Sequence, residues 1–114
     1  MIKVFAIGRI TKDFELATTR DGVAFCRFSI AVKKKKDGAD FFDVSVWRQT
    51  AELCYRFVKK GSKIAINGFL TVREWEKDGQ KHKAVEIVAE EVEFLDSRKV
   101  EQENLIEVDE NVPF

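Results

Sequence analysis

The sequence predicts an all-β fold in which five strands close on themselves, with one α-helix between the third and the fourth. Three observations predict it. Apolar residues recur at every second position through most of the chain, as they do along strands with one buried face. Steps at Asp21-Gly22, Asp37-Gly38 and Asp78-Gly79 interrupt that alternation with turn chemistry. A stretch near residues 50–60 changes to the three- and four-residue spacing of a helix. The 114 residues and 13.1 kDa suit one domain and leave no room for a second core.

The first strand covers 2–11, where β-branched and aromatic residues dominate a run too short for a helix, and Gly8 marks a bulge or a close-packing point. After turns near Lys12-Asp13 and Asp21-Gly22, residues 23–33 alternate. Ala24, Cys26, Phe28, Ile30 and Val32 share one face; Phe25, Arg27, Ser29 and Lys33 share the other. Residues 33–40, KKKKDGAD, form a charged hairpin tip. In the third strand, 41–47, Phe42, Val44 and Val46 point inward, and Asp43 and Ser45 mark the side shared with Phe41 and Trp47 as outward. Thr50 caps a helix with apolar positions Leu53, Cys54, Phe57 and Val58, Glu52 in its first turn, Lys59 and Lys60 in its last, and Gly61 at its end. The fourth strand sets Ile64, Ile66, Leu70 and Val72 against Lys63, Asn67, Phe69, Thr71, Arg73 and Trp75, with Gly68 a place where a bulge would reverse the parity. Residues 77–80 make a hairpin turn, and the last strand, 81–95, changes parity near Glu90-Glu91, which implies a bulge there.

Three strands, a helix and two strands resemble the OB-fold, a five-stranded Greek-key barrel that often presents one outer face to single strands. The expected domain is 1–97. From 98 to 114 the apolar periodicity stops and an acidic, flexible tail is expected. Charge divides the same way: residues 1–99 carry 20 basic and 15 acidic side chains, a balance of +5, and residues 100–114 carry five acids and no base. A basic body with an acidic tail points to a polyanion as partner. No run approaches the ~20 apolar residues of a membrane helix, and the opening MIKVFAIGRI has no signal-peptide pattern, so a cytoplasmic address is expected. Cys26 and Cys54 lie 28 positions apart, with neither metal-knuckle nor disulfide-framework spacing, and read as buried small hydrophobes. With His82 as the one histidine and no phosphate-cradling glycine motif, neither catalysis nor a metal or other cofactor is expected.

Outward aromatics among cations are what holding a single-stranded nucleic acid requires, because every base has a π-face and every nucleotide a negative phosphate. Trp47, Trp75 and Phe41 are the stacking candidates. Arg27, Lys33, Lys34, Lys35, Lys36, Arg48, Arg73 and Lys77 are the phosphate-binding candidates. Taken alone, Phe25 and Phe69 read as structural. The ending Asp109, Glu110, Asn111, Val112, Pro113 and Phe114 joins acid, a stiff proline and an aromatic beside a terminal carboxylate, suited to capture by an apolar pocket with a basic rim.

Together these residues resemble the SSB family, the bacterial single-stranded DNA-binding proteins, over essentially the whole chain. The opening KVFAIGRITKDFEL, Trp47 before Thr50-Ala51-Glu52, Lys60-Gly61-Ser62, Asn67-Gly68, Arg73-Glu74-Trp75 and the ending DENVPF carry the likeness. The resemblance implies a homotetramer of OB-folds that coats and protects single-stranded DNA in replication, recombination and repair. It also implies stacking at Phe41, Trp47 and Trp75, and a tip that recruits partner proteins. Two features depart from the pattern. Lys36 stands where some members carry a fourth aromatic, and the linker before the tip is nearly absent, the tip reading DEN where DDD is usual. The −5 tail is expected to compete with DNA for the +5 body. An OB-fold protein–protein adaptor and an RNA-binding OB domain are the alternatives, separated by salt dependence and by competition between DNA and RNA.

Overall fold

Barrel closure depends on the first strand pairing with two others. The computed structural model describes residues 1–95. In it β1 (Ile2–Ile10) runs antiparallel to β5 (Lys63–Lys77) from Ile2↔Leu70 to Arg9↔Lys63, and its last two residues pair with β3 (Ala24–Lys33) at Arg9↔Ala31 and Ile10↔Ile30. β3 continues antiparallel to β4 (Ala39–Trp47), β4 pairs in parallel with β6 (Gln80–Phe94), and β6 returns antiparallel to β5. The circuit β1-β5-β6-β4-β3-β1 is the five-stranded OB barrel. A two-residue strand, β2 (Ala17–Thr18), adds to the outer end of β3 at Ala17↔Phe25, between the two expected turns, where the sequence predicts no strand.

Gly8 sits at the closure point. A Cβ there would meet the Ala31 carbonyl oxygen at 2.7 Å, so the glycine is a close-packing point and the strand runs through it without a bulge. The bulge lies between β5 and β6, where Asn67↔Glu91 is followed by Gly68↔Ala89 and Glu90 is the extra residue. It therefore resets the parity of β6, near Glu90-Glu91 as the sequence implies, and leaves β5 alternating without a break through Phe69 to Trp75.

Inward-facing Cys26, Ile30, Val44, Val46, Ile64, Ile66 and Ile87 fill the barrel, each 2% exposed or less. The helix α1 (Arg48–Phe57) closes its end with Ala51 and Cys54, and the Cys26 thiol donates to the Ala51 carbonyl at 3.5 Å. Burial holds the Cys26 thiol up at about 11, and burial together with the neighbouring Cys26 sulfur holds Cys54 up at about 12, so both remain protonated small hydrophobes.

The helix differs from its expected form in its start, its cap and its end, and the earlier start leaves its first turn without an acid, Glu52 falling beyond it. It begins at Arg48, two residues ahead of Thr50, because Arg48 takes a left-handed φ of 54° that turns the chain sharply out of β4. No side chain caps it, and Trp47 occupies the cap position. It stops at Phe57, ahead of Lys59 and Lys60, with Arg56 as the base in its last turn. The stripe facing the barrel is Ala51, Cys54 and the following Val58, while Leu53 and Phe57 lie to the side and are exposed. The expected tail, 98–114, including Asp109, Glu110, Asn111, Val112, Pro113 and Phe114, lies outside the described residues.

Candidate nucleic-acid interface

Strand pairing decides which side chains share the outer face, since partners across a ladder point the same way. One row joins Phe25 to Trp47. The next joins Arg27, Ser45, Val88, Phe69 and Lys3, the third Ser29, Asp43, Glu86 and Thr71. Beyond these, Ala31 pairs with Phe41, Ala84 with Arg73, and His82 with Trp75. Phe41, Trp47, Trp75, Arg27 and Arg73 are thus five of the expected site residues on one sheet surface. The other cations stand around it. Lys33, Lys34, Lys35 and Lys36 occupy the β3–β4 tip, Lys77 the β5–β6 turn opposite Gln80, and Arg48 the turn next to Trp47.

Each aromatic has a different setting. Phe41 is bare: its cross-strand partner is the small Ala31, and it is 65% exposed. Trp47 is half-buried and held from two sides. Its ring stacks on Phe25 with centroids 4.9 Å apart at 22°, and its Nε1 donates to the Ser45 hydroxyl at 3.1 Å. Ser45 is completely buried despite its outward parity, and its hydroxyl accepts the bond from the indole. Trp75 is 38% exposed on the arm formed by β5 and β6 beyond the barrel, with His82 stacked on it and the Arg73 guanidinium 4.5 Å from its ring centre. The Asp78-Gly79 turn of that arm has positive φ at both residues, as its sequence predicts.

The electrostatic centre of the face is Glu86, 5% exposed and flanked by Arg73 Nε at 3.0 Å and Arg27 Nε at 3.9 Å. One carboxylate thus holds two guanidiniums against the sheet and leaves the trio with a net positive charge. At the tip, Lys34 pairs with Asp40 at 3.4 Å, so part of the lysine charge is neutralised within the hairpin. Phe25, Glu86 and His82 are the residues whose part in this surface sequence reasoning missed. The register Phe25↔Trp47 and the Asp-Gly turn that sets His82 opposite Trp75 are the signals that carry them. Among the described residues, no group of three or more His, Cys, Asp or Glu is placed to hold a metal, and no helix is long and apolar enough to cross a membrane.

A surface of separated rings among guanidiniums and ammoniums can stack bases and neutralise phosphates with no reading of base edges. Comparison with known proteins agrees with that chemistry. A single-stranded DNA-binding protein of Treponema pallidum is 37% identical over 82% of this chain and 57% of its own length. Single-stranded DNA-binding protein 3 of Listeria innocua is 42% identical over 87% of this chain and 66% of its own, so the chain spans a little over half to two thirds of these relatives. Single-stranded DNA-binding protein 2 of Clostridium acetobutylicum is 39% identical over 99% of this chain and 89% of its own. The crystal structure of a small single-stranded DNA-binding protein from Streptomyces coelicolor shares the fold with a TM-score of 0.70, at 23% identity over 82% of this chain and 93% of that one. The model of the single-strand binding protein family matches residues 1–95, the whole of the described barrel, and the chain belongs to that family.

Proposed function

We propose that this chain binds single-stranded DNA without regard to sequence, coating and protecting it in replication, recombination and repair. The observation that carries the reading is the outer face on which Phe41, Trp47 and Trp75 alternate with Arg27 and Arg73, in a chain of this family. The bases lie on the rings, and the phosphates meet the arginines, Arg48, Lys77 and the lysines of the β3–β4 tip. The part played is that of a binding protein, with no catalytic residue. Residues 1–97 are the binding domain. The acidic 98–114 carries the tip, Asp109 to Phe114, that recruits replication and repair proteins and competes with DNA for the basic body. The chain acts in the bacterial cytoplasm, on the nucleoid.

A homo-oligomer, a tetramer on the family pattern, accounts for apolar surface that a lone small barrel would otherwise show to water. Ile2, Phe5 and Ile7 of β1 are 59%, 68% and 42% exposed. Titration with an oligothymidylate strand tests the central reading, with its duplex as control and a mass measurement of the free protein alongside. The expected result is strong tryptophan quenching by the single strand, reversed by salt. Equal affinity for the duplex, or binding with no change in tryptophan emission, would refute it.

A further inference from the structure

The seam that closes the barrel is short. β1 and β3 meet at Arg9↔Ala31 and Ile10↔Ile30, and past Arg9 and Ala31 no further pair joins them. The strands part there around an open cleft of about 600 Å³. Three exposed cations line it, Arg9 from β1, Lys33 from β3 and Lys63 from β5, with the small residues Gly8, Ala31 and Ala39 between them. Among the described residues no carboxylate lines it, and the outward carboxylate next along the ladder is Glu93, opposite Ala65. Arg9 is fixed at its edge, because its Nη1 donates to the Gly61 carbonyl at 2.9 Å. Lys34 takes the tip carboxylate, Asp40, at 3.4 Å, which leaves Lys33 its charge. The cleft is continuous with a stacking position. One row of outward side chains runs Phe41, Ala31, Arg9, Lys63 across β4, β3, β1 and β5. At about 4.8 Å per strand, Arg9 stands roughly 10 Å from Phe41 and Lys63 roughly 14 Å, and the methyl group of Ala31 is the side chain between ring and guanidinium.

We propose that this cleft is a further phosphate-binding site for single-stranded DNA, in which Arg9 and Lys63, together with Lys33, take the phosphates of nucleotides adjoining a base stacked on Phe41. The inference rests on the single-stranded DNA reading above and extends the path beyond the face that bears Trp47 and Trp75. A strand leaving the Phe41 ring has two ways to go. One runs back over the sheet toward Arg27 and Trp47; the other crosses the seam, where the row from Phe41 passes one small side chain and then meets two cations in succession. A cleft lined by charges of one sign concentrates their field, which favours a polyanion there over a neutral chain. The guanidinium held by the Gly61 carbonyl is already in position, so a phosphate gains its charge without the cost of ordering a free side chain. Ile7, 42% exposed, is the boundary with the apolar part of β1, and the cations lie beyond it.

The test is titration of the full chain with oligothymidylate at several salt concentrations, with a mass measurement of each free protein. Arg9→Gln with Lys63→Gln is expected to lose about fivefold in low-salt affinity for each residue and to have a salt slope shallower by about 1.4. Lys63→Gln alone, which spares the Arg9 bond to Gly61, is expected to show about half of that change. Arg9→Lys keeps the charge and is expected to keep the wild-type slope. Lys83→Gln removes a charge on the side of the β5–β6 arm opposite Trp75 and is expected to leave the slope as it is. An unchanged slope in Lys63→Gln and in the double variant, or an equal change in Lys83→Gln, overturns the inference while leaving single-strand binding intact. A shallower slope accompanied by an altered mass also overturns it, because the cleft would then be a contact between subunits. Absence of single-strand binding by the unaltered chain would overturn the underlying reading and this inference with it.

Discussion

Replacing Glu86 with glutamine keeps the shape of the side chain and removes its charge, and the structure fixes the sign of two opposite effects. In the folded protein the carboxylate lies 3.0 Å from Arg73 and 3.9 Å from Arg27. At the dielectric of bulk water those separations correspond to about 1.4 and about 1.1 kcal/mol of attraction. The arginine side chains are 38% and 50% exposed, so solvent screens them and the water-like values are the better guide. Desolvation of the carboxylate opposes the attraction, and the substitution is expected to lower stability by about 1 kcal/mol. Binding moves the other way, because two guanidiniums are released and the face gains one unit of positive charge. Oligothymidylate affinity at low salt is expected to rise about fivefold, with a salt slope steeper by about 0.7. Urea unfolding measures the first effect and fluorescence titration at two salt concentrations the second. A destabilised variant with an unchanged slope would show that Arg27 and Arg73 do not meet phosphates.

Trp47→Ala and Trp75→Ala are each expected to cost about 1–3 kcal/mol of binding. Phe25→Ala, which removes the ring beneath Trp47, should weaken binding in the same titration by a smaller amount, while the double tryptophan variant binding at full affinity would refute the platforms. Lys35→Gln should reduce the salt slope by about 0.7 and leave the relative affinities for different homopolymers unchanged. Gly68→Ala places a Cβ 2.1 Å from the Val88 carbonyl oxygen and is expected to destabilise the barrel by about 1–3 kcal/mol or more in thermal unfolding. The raised thiols give an alkaline effect: above the ordinary value of 9.0 the unfolded chain loses protons that folded Cys26 and Cys54 keep up to about 11 and about 12. Stability therefore falls as pH rises beyond about 9, and the fall should be shallower in Cys54→Ala, measured by urea unfolding.

Much of the fold is legible in the sequence because strand parity is a local property. Val44 and Val46, or Ile64 and Ile66, declare the inner face wherever they stand, and the change from Ala89 to Val92 locates the bulge without knowledge of the partner strand. The helix start is less legible. Thr50 has the right chemistry for a cap, but the chain turns at Arg48 because β4 ends at Trp47 and the helix must reach the open end of the barrel. The site divides along the same line. Trp47 and Phe41 follow from alternation within one strand, whereas the contact of Phe25 with Trp47 and the grip of Glu86 on two arginines are products of register between strands. Ser45 reads as exposed from parity alone, yet it is completely buried and its hydroxyl accepts the bond from the Trp47 indole.

Under the proposed function, the fixing of the Trp47 ring by Phe25 and Ser45 bears on how the surface binds. A ring already fixed in the free protein loses little freedom when a base lies on it, whereas a mobile side chain must be ordered at an entropy cost that opposes association. Trp47, fixed by Phe25 and Ser45, offers a base a finished platform. Phe41 is the bare ring, six residues along the same strand and roughly 20 Å away at about 3.3 Å per residue. Between the two lie Arg27, Asp43 and Glu86, with Arg73 beside the carboxylate, so cations separate one stacking position from the next. A flexible polyanion with a base on every unit can satisfy that alternation in many registers, whereas a duplex, whose bases are stacked within, cannot present them. On the proposed function, the preference for single strands follows from the order of rings and charges along two strands, with no base-edge contact needed to produce it.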